Sequence, residues 1–205
     1  MAKLNAPLMS FSASGQIAKA LVFSTWKGLN IARQFVVPAN PKTTPQTTQR
    51  GYLTEVVTAI HDAIALAVDP LIAIDKSAYS LWGSIFATPR TWFNQVCKNN
   101  MDQRVASLRG CIYRDGAFAP GAGQVTCHLE FTKVSGANNI TAGNWRYGTS
   151  KTALLSTAAG TIAADSIDNV IAGLTTGVKY YFQFRPTAHA DYVGAFSGIY
   201  FATPT

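Results

Sequence analysis

VKYYFQFRPTA, residues 178–188, is a β-rich run crowded with aromatic side chains, and it does not stand alone. QVTCHLEFTKV (124–134), NWRYGTSKTALL (144–155), SIDNVIAGL (166–174) and GAFSGIYFATP (194–204) repeat the pattern, with Gly, Asn and Ser punctuating the runs. Short strands separated in this way describe an antiparallel sandwich. Just ahead of them RDGAFAPGAG (114–123) reads as a linker or as the first strand.

Upstream of residue 111 the texture is helical. From Leu53 the apolar positions Val56, Val57, Ile60, Ile64 and Val68 follow helical spacing, with Asp69-Pro70 as the stop. Thr44 is placed to cap this helix and Pro45 to occupy its first turn, where a missing N–H is not needed. ATPRTWFNQV (87–96) repeats the device, with Thr88 as cap and Pro89 following. Trp92, Phe93, Val96, Cys97, Met101, Val105 and Leu108 then form a stripe that Gly110 closes. SAYSLWGSIFA (77–87) reads as a short helix between the two, packing Tyr79, Leu81 and Trp82 inward.

The first fifty residues differ again. Residues 15–26 and 29–37 are rich in β-branched and aromatic side chains and are joined through Lys27-Gly28, which reads as a β-hairpin. Period-two alternation sets Leu29, Ile31, Arg33, Phe35 and Val37 on one face, so Arg33 is a cation within an apolar row. Either its stem packs while its head reaches water, or the head meets a carboxylate or carbonyls of another subunit. Trp26 is either a core ring or an interface anchor. Pro38, Pro41 and Pro45 make VPANPKTTP (37–45) an extended, semi-rigid connector. Gln46, Gln49 and Arg50 share a polar face of the helix that follows, either solvated or offering amide and guanidinium donors to a neighbour.

Charge is uneven along the chain. Six cations and no acid precede Glu55, so the first quarter carries most of the net charge of +7. Charged residues are only 13% of the whole, about half the usual share, which suits a surface packed against neighbours or a secreted module. A basic segment of this kind points to an anionic partner. Its cations are spread out, without a Lys/Arg run or aromatic interleaving, which favours an acidic protein face over nucleic acid. No window reaches the ~20 apolar residues of a membrane helix, and the start lacks the apolar core of a secretory signal. The expectation is a chain made in the cytoplasm, without a membrane partner.

Catalytic groupings are not recognisable. His128 and Glu130 alternate onto one strand face as an ordinary solvated pair, and His61-Asp62 and His189-Asp191 have no serine or cysteine in a known frame. Cys97, Cys111 and Cys127 lack Cys-x-x-Cys spacing and read as buried thiols, although a disulfide is open to them. The expectation is no enzymatic activity, no cofactor and no metal.

LTTGVKY (174–180) resembles the strand corner of fibronectin type III modules, in which a leucine ends one strand and a tyrosine six residues later opens the next. Thr176 and Val178 depart from that family's usual proline and threonine. The resemblance covers about residues 122–205. It implies that Leu174 and Tyr180 are structural, the tyrosine returning its hydroxyl to upstream backbone. FSTWKGLNIARQFVVPANPKTTPQTTQR (23–50) resembles a pattern of Trp-Lys-Gly, Arg, Pro-x-Asn-Pro-x-Thr, Gln and Arg in structural proteins of tailed bacteriophages.

Together these readings give an α+β chain. Residues 1–110 hold a basic hairpin, connector and helices, and residues 111–205 a fibronectin type III-like β-sandwich. The phage resemblance implies a virion protein (head decoration, neck or tail) that forms homo-oligomers and docks on other virion proteins through Trp26, Lys27, Arg33, Lys42, Gln46, Gln49 and Arg50. The alternative is an adhesion module whose sandwich loops bind a cell-surface glycan or protein. An exposed Trp/Tyr cluster, for which Trp145 and Tyr147 are candidates, would favour glycan binding.

Overall fold

The computed structural model describes residues 2–3, 15–17, 20–37, 40, 42–136 and 138–205. Two compact units divide between Thr43 and Thr44, whereas the change of residue texture lies near residue 110. The reason is packing: the helices of the second unit share cores with its strands, so the chain does not divide where its periodicity changes.

In the first unit, β1 (Ala2–Lys3), β2 (Gly15–Ile17), β3 (Leu21–Trp26) and β4 (Leu29–Gln34) form one antiparallel sheet in the order β1-β4-β3-β2. The stretch read as one long first strand is therefore two, β2 turning back so that Gly15 faces Phe23. Lys27 (φ 48°) and Gly28 (φ 77°) close the β3–β4 hairpin as a two-residue turn, and its two left-handed positions explain the glycine. Pro38 and Pro41 of the expected connector lie outside the described residues.

The second unit opens with α1 (Thr44–Ala65), which has Pro45 in its first turn. Its buried stripe is Val56, Ile60 and Ala63. The helix ends earlier than its apolar spacing suggests, because Leu71 N–H returns to the Ala63 carbonyl at 2.9 Å. Leu53 and Ile64, both within the helix, lie on its exposed face, and Val68 is 71% exposed beyond it. α2 (Ala73–Gly83) buries Tyr79 and Trp82. α3 (Trp92–Val105) starts later than Thr88-Pro89: its cap is Thr91, whose side chain accepts from Asn94 N–H at 3.3 Å. At its far end Ser107 takes the left-handed position, at φ 62°, in place of Gly110. Val105 is exposed, and the buried face instead carries Gln95, Asn100 and Gln103 beside Val96 and Cys97.

Eight strands follow in two antiparallel sheets. One has β5 (Cys111–Gly121), β6 (Gln124–Lys133), β10 (Ser166–Ala172) and β9 (Thr161–Ala163), in the order β5-β6-β10-β9. The other has β12 (Tyr200–Ala202), β11 (Tyr180–Ala188), β7 (Ala142–Gly148) and β8 (Ser156–Ala159), in the order β12-β11-β7-β8. Residues 114–123 thus belong largely to the first strand of the sandwich. Alternation puts Val125, Cys127, Leu129 and Phe131 of β6 inside, in one cluster with Trp145, Phe182, Phe184 and Tyr200 from the facing sheet. Tyr113 meets Phe184 across the gap with ring centroids 5.9 Å apart.

The helices are bound to the strands by polar as well as apolar contacts. A second cluster joins Val56, Ile60, Tyr79, Trp82 and Val96 to Ile112 and Ile199. Asp75, fully buried on α2, accepts from Ile72 N–H at 2.9 Å, from Gly116 N–H at 2.9 Å and from the Tyr200 hydroxyl at 2.8 Å. A β-bulge between Arg114 and Ala117 turns the Gly116 amide into this contact. A side chain at 116 would not fit, since its Cβ would lie 2.4 Å from the Tyr200 ring.

Candidate interface

The described residues of the first unit form almost no core. Among its described residues Phe23 is the buried apolar side chain, while Trp26 is 64%, Leu29 45%, Val36 69% and Val37 73% exposed. The register explains how this surface is arranged. Val22 lies opposite Arg33, Ser24 opposite Ile31 and Trp26 opposite Leu29, so these six residues share one face of the β3–β4 hairpin. Trp26 and Leu29 sit at its turn end with exposed Lys27, and exposed Arg33 lies at the other end. The structure therefore places Trp26 and Arg33 on one face. Trp26 is not a core ring. Lys42, also exposed, has φ 46°.

In the second unit Gln46, Gln49 and Arg50 are all exposed on the opening turns of α1. Gln49 lines a shallow depression of about 400 Å³ together with Thr44, Thr48, Tyr52 and Arg104. Arg104 pairs with Glu55 at 2.9 Å and lies 4.8 Å from the centre of the Tyr52 ring. Sequence spacing gave no sign of Arg104 here, because the contact depends on α3 packing beside α1.

At the strand corner, Leu174 is buried and the Tyr180 hydroxyl accepts the Thr175 N–H at 3.2 Å. Hydrogen bonding with the Thr175 side chain and with its N–H holds the Tyr180 phenol below its ordinary range. Trp145, by contrast, is fully buried, its ring edge-on to Phe118 and Phe184, and Tyr147 stacks on Phe182. Neither belongs to an exposed aromatic cluster.

The titratable groups sit mostly in structural settings. Cys97, Cys111 and Cys127 are free and buried, and burial pushes the Cys111 and Cys127 thiols up to about 12. His128 does not simply pair with Glu130: its Nδ1 lies 2.6 Å from Asp168 on β10 and its Nε2 3.8 Å from Asp115 on β5. Among the described residues no group of three or more His, Cys, Asp or Glu could hold a metal ion, and no helix is long and apolar enough to cross a membrane.

No family model, curated protein or solved structure matches the chain.

Proposed function

We propose that this chain is a structural protein of a tailed-bacteriophage particle, a head decoration, neck or tail component. Its N-terminal unit docks on neighbouring virion proteins, and its second unit displays a fibronectin type III-like sandwich. The observation that carries this reading is the first unit's surface: a small sheet with one buried apolar side chain among its described residues, an exposed Trp26–Leu29 pair and cations without an acid. A sheet of that size buries too little apolar surface to stand by itself, and an exposed patch rimmed by polar groups marks an interaction site. The phage-like pattern at residues 23–50 overlaps this unit over residues 23–43 and continues into the opening turns of α1. The fibronectin type III-like reading draws support from the Thr175–Tyr180 hydrogen bond and from the sandwich of two antiparallel sheets. The chain acts by binding rather than by catalysis.

Mass spectrometry of particles purified from the lysate of cells producing the chain tests this. The protein should be present at a fixed copy number, and Arg33→Ala/Arg50→Ala should lower its occupancy while leaving soluble, folded protein. Gradient-purified particles without the chain, or full occupancy by the double variant, would refute it.

A further inference from the structure

The outer face of the sheet β5-β6-β10-β9 has the opposite character to the N-terminal unit. Residues 1–43 contain Lys3, Lys19, Lys27, Arg33 and Lys42 and no acid. Asp115, Glu130 and Asp168 lie together around His128, with Arg114 reaching Glu130 at 3.7 Å and donating to the Asp69 carbonyl. Asp165 is next to them in the turn before β10, where its carbonyl accepts the Phe131 N–H. Partial burial raises the Glu130 carboxyl above its ordinary range; Asp69 and Asp165 add to that shift while Arg114 and His128 oppose it. Asp115, Glu130 and Asp168 thus set three carboxylates against one guanidinium and one imidazole, with exposed Asp165 beside them. Val170, half exposed on β10 opposite Thr126, gives the same face an apolar contact.

We infer that the Trp26–Leu29–Arg33 face of one copy docks on the β6–β10 outer face of a second copy of this chain, head to tail. The inference rests on the reading of the N-terminal unit as a docking element and adds the identity of its partner. Charge complementarity selects this arrangement. Two basic hairpin faces set against each other would bring Lys27 and Arg33 of one copy towards those of the other, whereas the acidic face supplies the missing counter-charge. Because the two surfaces differ, each copy keeps one of each free after pairing, and the contact propagates into a ring or an open row rather than closing as a two-fold dimer.

Sedimentation of the whole chain over a range of concentrations tests this with two neutralised variants, Lys27→Ala/Arg33→Ala and Asp165→Asn/Asp168→Asn. The wild type should form species larger than twice 22.0 kDa. These should dissociate as salt rises from about 0.1 M to about 1 M, which shortens the screening length from about 10 Å to about 3 Å. Each variant alone should be monomeric. An equal mixture of the two should form dimers and stop there, since only one intact basic face and one intact acidic face remain to meet. Three results would overturn the inference: a monomeric wild type at all concentrations, a species that ends at the dimer, or an acidic-face variant that assembles like wild type. A monomeric wild type that is nevertheless found in particles would leave the proposed function standing, with a different protein as partner. Self-association without incorporation into particles would do the reverse.

Discussion

Replacing Asp75 by alanine removes three acceptor contacts at once, from Ile72 N–H, Gly116 N–H and the Tyr200 hydroxyl. Each buried donor left without a partner costs about 1–3 kcal/mol. Removing the buried charge itself returns part of that sum, because its desolvation was unfavourable. Water can supply another part through the open depression of about 390 Å³ that Ala78 and Tyr200 help to line. The expected net loss after these offsets is about 3–5 kcal/mol, below the full sum for three unsatisfied donors. Asp75→Asn keeps Oδ1 for Gly116 and Tyr200 but turns an amide towards Ile72 N–H, so it loses the cap at the start of α2 and should cost about 1–2 kcal/mol. Urea unfolding followed by tryptophan fluorescence measures both, since Trp82 and Trp145 are buried in this unit.

The carboxylate also predicts a pH dependence. Burial raises the Asp75 carboxyl above the ordinary aspartate range, against the hydrogen bonds from Ile72, Tyr200 and Gly116. A group whose folded value is raised stabilises the fold fully below its unfolded value, and that contribution is lost as pH rises through the folded one. The deficit of Asp75→Asn relative to wild type should therefore be fully present below about pH 4 and shrink as pH rises above it. An alanine variant within about 1 kcal/mol of wild type, or an asparagine variant as unstable as alanine, would show that this contact does not join α2 to the strands.

Thr91→Ala removes the side chain that accepts Asn94 N–H and should cost about 1 kcal/mol in the same assay, while Thr88→Ala should cost nothing measurable. Equal effects would contradict the start of α3 at Trp92. Tyr180→Phe deletes the acceptor for Thr175 N–H at a solvent-accessible corner, so a small loss of stability is expected in the same assay. A neutral result would show that the hydroxyl bond does not stabilise the corner.

Which elements were legible in the sequence follows from how local their causes are. The runs that became β6, β10 and β11 were visible because aromatic and β-branched residues cluster there between turn residues, and the β3–β4 turn was marked by Lys27-Gly28. β8 and β9 were not legible, being three or four residues long and made mainly of Ser, Thr and Ala. The inward stripe of α3 misled because its buried face is largely amide, with Gln95, Asn100 and Gln103 inside and Val105 outside. Asn100 lies directly against Gly110, where a Cβ would come within 1.8 Å of its Oδ1. That glycine is needed for close packing rather than for ending a helix. In the candidate interface the cations could be counted in advance, but the exposure of Trp26 depends on how little of the first sheet is buried, which no spacing rule reports.

The two units therefore differ in where their stability comes from. The second has two clusters of buried side chains, tied together by Tyr79 accepting the Tyr113 amide and by Asp75 holding Gly116 and Tyr200, so its order is internal. The described residues of the first offer Trp26, Leu29, Val36 and Val37 to the outside around one buried phenylalanine. Hydrogen bonds between β3 and β4 fix a register but add little net free energy in water, and a small sheet without a packed face is marginal. Covering the Trp26–Leu29 face supplies the missing hydrophobic term, at about 25 cal/mol for each Å² of apolar surface removed from water. Cations on that face then decide which surface covers it, because placing them against anything but carboxylates or carbonyls would strand charge at the contact. In the proposed docking, covering this unit and stabilising it are one event, with charge selecting the partner.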